Sequence, residues 1–141
     1  MPADSQLLGI EIVEQFVDHL RTIRDPRLHV VRGCALQLER VLQSQQLPRP
    51  DVVVSGIPFS AMSRAQGANL MTAIHAVLPV GGTFVAYQVR KSVCDLAAKH
   101  FGPARQSLVL ANFPPLRIFE WQKPETAARH GAQRVRAESG S

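Results

Sequence analysis

Cysteine is scarce: this 141-residue chain holds Cys34 and Cys94 and no others. They make neither a disulfide framework nor a metal-ligand spacing. Each has apolar neighbours and reads as a small buried hydrophobe. The five histidines give no better cluster. His19, His75 and His100 fall on helical patterns without partners at ligand spacing, His29 falls on a strand pattern, and His130 stands near the end. No residue here reads as a nucleophile or a metal ligand. Charged residues are only 19% of the chain, too few for a disordered segment of this length. No apolar run approaches the roughly 20 residues that cross a bilayer. The opening Met1-Pro2-Ala3-Asp4 is polar and unlike a signal peptide. These absences leave one cytoplasmic domain, or a domain peripheral at the inner membrane surface.

What is present is an ordinary globular core with a basic bias. Hydrophobic residues make up 45%, and the formal net charge is +5. Residues 123–141 carry four basic and two acidic residues and read as a basic, flexible tail to a domain over 1–122. The remaining excess of base suits an anionic partner, a phospholipid surface or RNA, as well as a plain solvated surface.

Strand and helix patterns alternate along the chain. Leu7-Leu8-Gly9-Ile10-Glu11-Ile12 opens as a short apolar strand. Val13, Phe16, Val17, Leu20 and Ile23 then recur at helical spacing, up to the stop at Asp25-Pro26. A strand over 28–31 and a helix around Leu36, Leu38, Val41 and Leu42 follow. Asp51-Val52-Val53-Val54 is apolar without alternation, the mark of a strand buried on both faces. Leu70, Ile74, Val77 and Leu78 mark a third helix, 83–89 a fourth strand, and Val93, Leu96, Ala97 and Phe101 a fourth helix. Two strands close the pattern, at 107–111 and 117–121. Asn112-Phe113-Pro114-Pro115-Leu116 between them is too short for a crossover helix, so they form an antiparallel hairpin at the sheet edge. The expected fold is α/β: a Rossmann-like, doubly wound, mostly parallel sheet with helices on both faces and a C-terminal hairpin. Ligands in such sheets bind beyond the carboxyl ends of the strands.

The residues at those ends therefore carry the functional reading. They are Gly9-Ile10-Glu11-Ile12-Val13-Glu14-Gln15-Phe16, Gly33-Cys34-Ala35, Asp51-Val52-Val53-Val54-Ser55-Gly56-Ile57-Pro58-Phe59 and Asn112-Phe113-Pro114-Pro115-Leu116-Arg117-Ile118-Phe119, while Val77-Leu78-Pro79-Val80-Gly81-Gly82-Thr83-Phe84 is a helix-to-strand turn with a structural role. In order and spacing the chain resembles the class I S-adenosylmethionine-dependent methyltransferases. Its nearest flavour is the bacterial phospholipid (phosphatidylethanolamine) N-methyltransferases, themselves similar to the ribosomal RNA adenine dimethylases.

The resemblance implies S-adenosylmethionine as cofactor, with Glu11, Gly33, Cys34, Ala35 and Ser55 at its site. Glu11 takes the family's place for the ribose ligand, where the plain alternative is a helix-capping acid. Cys34 stands where the family has an acid that accepts from adenine, and a thiol is a poor acceptor. Ser55, Gly56, Pro58 and Phe59 take the place of the acceptor corner. Gly56 replaces an amide residue there, while Phe59 keeps the aromatic that faces the amine. The Asn112 turn either lines the pocket beside Phe59 or is a proline-stiffened hairpin turn. The implied function is methyl transfer to an amine, a phosphatidylethanolamine-type headgroup first and an RNA adenine second. A binding module unable to hold the cofactor is the alternative of another class. No metal is implied.

The family's fingerprint places a strand and a glycine-rich turn about 20 residues before the ribose acid. Only ten residues precede Glu11 here, and no Gly-x-Gly is among them. The expected consequence is a sheet that lacks its central first strand, with two open apolar edges. A reading frame called from a late start explains this best; a decayed gene or a second polypeptide that completes the sheet would also do so.

Overall fold

The computed structural model describes residues 2–111 and 113–125. The expectations for Asn112 and for the tail beyond 125 lie outside the described residues.

The elements run β1 (Leu7–Glu11), α1 (Glu14–Arg21), β2 (Leu28–Arg32), α2 (Leu38–Ser44), β3 (Val52–Ser55), α3 (Arg64–Val77), β4 (Thr83–Gln88), α4 (Ser92–Phe101), β5 (Arg105–Val109) and β6 (Leu116–Gln122). Single 3-10 turns precede α2, at Ala35–Gln37, and α3, at Phe59–Ala61. The third helix begins earlier than its apolar residues announce. Ser63 accepts from the Gln66 N–H, and the Gln66 side chain accepts from the Ser63 N–H, so a capping box starts it at Arg64. The hairpin strand β5 lies two residues upstream of its expected start, over Arg105–Val109.

The strands form two sheets. β1 and β2 pair in parallel, Leu7 opposite Leu28 through Glu11 opposite Arg32. The second sheet has the order β3-β4-β6-β5. β3 and β4 are parallel, and β6 is antiparallel to both β4 and β5. The hairpin thus folds with β6 inside and β5 at the edge. Among the described residues no strand pairs with the second edge of β1 or of β3. The Rossmann-like α/β fold is present, and its sheet is divided between β1 and β3.

Residues opposite one another in a ladder share a face. Phe84 faces Trp121 and Ala86 faces Phe119, and all four are almost fully buried. Phe84 and Trp121 stack with ring centroids 5.1 Å apart and planes 14° apart. α3 and α4 cover this face with Leu70, Met71, Ile74, Val93, Ala97 and Phe101. Burying an aromatic or branched side chain of this kind contributes about 1.5–3 kcal/mol. Leu8 and Ile10 of β1 and Leu38 and Leu42 of α2 pack against the same core, so the two-stranded sheet is tied on from this side.

The other face is different. Val52 is 52% and Val54 63% exposed, while Val53 is half-buried and Ser55 buried. The expectation that β3 is buried on both faces is therefore corrected, and with it the expectation of helices on both faces along the whole sheet. Gly9 lies against Leu20 of α1, which covers the outer face of β1 and β2. The described helices leave the corresponding face of β3 and β4 open. The turn from α3 into β4 uses Gly81 at φ 79°, a left-handed conformation that costs glycine least. Its N–H donates to the Lys123 carbonyl, which joins the end of β6 to this turn.

Candidate functional site

Glu11 ends β1 and Gly33 follows β2. The Gly33 N–H donates to the Glu11 carbonyl at 3.0 Å, so the two strand ends are level. Glu11 Oε1 accepts from the N–H groups of Ile12 and Val13, at 2.7 and 2.8 Å. One carboxylate oxygen thus holds the entry to α1, and the other keeps its acceptor capacity. Glu11 therefore caps the entry to α1 and still keeps one carboxylate oxygen available to a ligand. Arg32 pairs with Glu14 at 3.0 Å across exposed ground, which ties the first turn of α1 to β2.

Gly33, Cys34 and Ala35 lead from β2 into the 3-10 turn. Cys34 is half-buried and has extended backbone at φ −96° and ψ 130°. Ala35 packs against the core. This segment offers a ligand its backbone and a shallow apolar surface, and no charged group.

The corner after β3 is held from two sides. Ser55 is buried, and its Oγ accepts from the Ile57 N–H at 3.3 Å. Gln88, buried at the end of β4, donates Nε2 to the Ile57 carbonyl. The Ser55–Phe59 corner is thereby fixed. Pro58 precedes the 3-10 turn, which carries Phe59 inward. Phe59 is 3% exposed and belongs to the core beneath α4. The expectation that Phe59 faces the amine is corrected: its aromatic surface is already spent on the hydrophobic core.

The aromatic on the open side is Tyr87, which the sequence reading did not single out. A Cβ at Gly56 would lie 2.2 Å from Tyr87 Oη, so the phenol rests directly on this glycine. The signal for it was Gly56 itself, since a glycine at a strand end often marks a close approach.

Glu11, Gly33–Ala35 and Ser55–Ile57 all stand at the carboxyl ends of parallel strands, β1 and β2 on one side of the divided sheet and β3 on the other. Phe113 is fully exposed in the β5–β6 turn, with Leu110 exposed beside it. The turn joins the end of β5 to the start of β6, whose Arg117 lies opposite Gln88, so it belongs to this same end of the sheet. Arg90 and Lys91 follow β4 there, both exposed. Two surface hollows lie elsewhere, beside α2; one is lined by Glu39, Leu42, Gln43, Leu47, Arg49 and Val77.

Solved structures resemble this architecture. N-methyltransferase NodS from Bradyrhizobium japonicum WM9 matches with a TM-score of 0.69 at 13% identity, over 85% of this chain and 74% of that one. Its complex with S-adenosyl-L-homocysteine matches at 0.64, 14% identity, and 85% and 67% coverage. The fold is that of a class I methyltransferase. TrmN from Thermus thermophilus shares it with a TM-score of 0.62 at 16% identity, and here the match covers 84% of this chain but only 36% of that one. An rRNA methylase from Streptococcus thermophilus matches at 0.59, 12% identity, and 85% and 74% coverage. No protein-family model and no curated protein matches the sequence.

Two of the histidines that lack partners at ligand spacing in the sequence are neighbours in space. His75 of α3 and His100 of α4 lie with ring centroids 5.3 Å apart, away from the strand ends. Burial, then Lys123, then His100 push the His75 pKa below its usual value. Lys123 Nζ donates to the carbonyls of His75 and Leu78, which places that cation beside the ring. This group belongs to the packing of α3, α4 and β6. Among the described residues no helix is long and apolar enough to cross a membrane.

Proposed function

We propose that the chain is an S-adenosylmethionine-dependent methyltransferase domain whose acceptor is an amine, most simply a phosphatidylethanolamine-type headgroup. One observation supports the reading: in a fold shared with methyltransferases, a carboxylate ends β1 and a fixed Ser-Gly-Ile-Pro corner ends β3, each at the carboxyl end of a strand paired in parallel.

The residues present fit the nucleoside part of such a cofactor. Glu11 has an oxygen free for ribose hydroxyls, and Gly33 to Ala35 bring backbone and an apolar surface beside it. When bound, S-adenosylmethionine supplies a methyl group on a sulfonium. The corner at Ser55 to Ile57 would hold the amine toward that methyl group, and the proton the amine releases would pass to solvent water. The chain need only hold the amine in line and keep water away, which is catalysis by positioning. Ser55 and Gln88 keep the corner rigid for that purpose.

The lipid acceptor is supported by the surface around this end. Exposed Val89, Leu110 and Phe113 stand among Arg90, Lys91 and Arg117. Exposed apolar side chains and cations at one end of a sheet suit a lipid surface with phosphate headgroups. Gly56 offers no side-chain amide to a flat adenine, so RNA is the second reading. The test incubates the chain with radiolabelled S-adenosylmethionine at millimolar concentration, with phosphatidylethanolamine vesicles in one arm and unmodified RNA in the other. Label in the lipid is expected. Label in RNA alone moves the function to the second reading, and label in neither overturns methyl transfer by this chain.

A further inference from the structure

Tyr87 lies level with Gly56, because Ser55 is opposite Ala86 in the β3–β4 ladder. A side chain at position 56 would meet Tyr87 Oη at 2.2 Å, Cζ at 2.4 Å and Cε2 at 2.8 Å. No real Cβ sits so near, so glycine is what lets the phenol close over the end of β3. Tyr87 is 46% exposed, so about half of the residue is open to solvent. The polar groups around it are occupied: the Ile57 carbonyl takes Gln88, and the Ser55 hydroxyl takes the Ile57 N–H. Among the described residues the Tyr87 hydroxyl has no hydrogen-bond partner. Arg90 and Lys91 follow within four residues, exposed and in no ion pair among the described residues.

We infer that Tyr87 selects the acceptor nitrogen, and that the ligand is a primary amine with a phosphate on the same small unit. The ring face attracts a cationic nitrogen. The hydroxyl oxygen accepts one N–H of a primary amine, which a fully methylated nitrogen cannot give. Arg90 and Lys91 draw the phosphate. The binding chemistry stands on this geometry, while its use in a reaction rests on the methyl-transfer reading.

The experiment is an NMR titration of the 15N-labelled chain with O-phosphoethanolamine and, separately, phosphocholine. Both ligands are expected to shift Gly56, Tyr87 and Gln88. Tyr87→Phe keeps the ring and loses the hydroxyl, so it weakens phosphoethanolamine about tenfold, as loss of one hydrogen bond to a charged group does, and leaves phosphocholine unchanged. Tyr87→Ala weakens both. Should that variant unfold, Gly56→Ala pushes the ring aside by its own Cβ and weakens both instead. Absence of shifts at Tyr87, or an equal loss of both ligands in Tyr87→Phe, overturns the inference. Normal titrations with no methyl transfer from S-adenosylmethionine overturn the reaction and leave the binding role of Tyr87 standing.

Discussion

The two sheets are woven from similar residues and are buried very differently. β1 reads Leu7-Leu8-Gly9-Ile10-Glu11 and β2 Leu28-His29-Val30-Val31-Arg32, yet neither contains a fully buried residue. β4 and β6 contain Phe84, Ala86, Phe119 and Trp121, each at 2% exposure or less. The difference lies in their neighbours. β4 and β6 are interior strands beneath two helices, whereas among the described residues β1 has one partner strand and β3 is open on one edge and one face. Apolar composition makes a strand; it does not decide how many of its sides find a partner. The same division runs through the proposed site: Glu11 and Gly33 to Ala35 stand on or just after the lightly buried sheet, and the Ser55 to Ile57 corner follows the packed one.

Single substitutions sharpen this contrast. Phe84→Ala removes a ring stacked on Trp121 and packed on Phe101, and should destabilise by about 3–5 kcal/mol. Val54→Ala, on the open face of the neighbouring strand, should cost well under about 1 kcal/mol, because little apolar surface leaves a packed environment. Paired urea titrations decide it. Equal losses would mean that the open face is covered in solution. Phe59→Ala belongs with Phe84→Ala: it should damage the fold first, as expected of a core aromatic.

A smaller effect is expected at the start of α3. Ser63→Ala removes the hydroxyl that accepts from the Gln66 N–H and should cost about 1 kcal/mol. The loss should appear in thermal melts of the packed region. Hydrogen exchange at β1, which depends on its own local opening, should change less.

The smallest effect is a pH dependence. The folded state lowers the His75 pKa, chiefly by burial and then through Lys123 and His100, so folding disfavours the protonated ring. The associated stability is full above the unfolded-state value near pH 6.5 and declines as pH falls toward the folded value. His75→Asn should flatten the stability curve between pH 7 and pH 5. A wild-type curve that rises on acidification would reverse the sign of this account.

Much of the fold was legible because its signals are local. Val13, Phe16, Val17 and Leu20 mark α1 by period, and the short 112–116 link forces a hairpin. The start of α3 at Arg64 was hidden by polar residues, although Ser63 and Gln66 spell a capping box. The open face of β3 was not legible, since Val52-Val53-Val54 looks alike with one covered face or two. At the site, Glu11 and the Ser55-Gly56 corner were marked by their place after strands. Phe59 was misread because a motif gives residue type and not direction, and a 3-10 turn points it into the core. Tyr87 escaped notice because it sits inside a strand, and only the β3–β4 register brings it over Gly56.

The central claim is that the ends of β1, β2 and β3 flank one nucleoside site across the divided sheet. With β1 and β3 unpaired toward each other, affinity should be weaker than micromolar, since about −8 kcal/mol is more than one carboxylate and an apolar surface supply. The decisive measurement is therefore an NMR titration of the 15N-labelled chain with S-adenosylhomocysteine up to millimolar concentration. Shifts should gather at Glu11 to Val13, Gly33 to Ala35 and Ser55 to Ile57, and Glu11→Ala should abolish them. Shifts confined to the hollow beside α2, or none anywhere at millimolar ligand, would contradict the account.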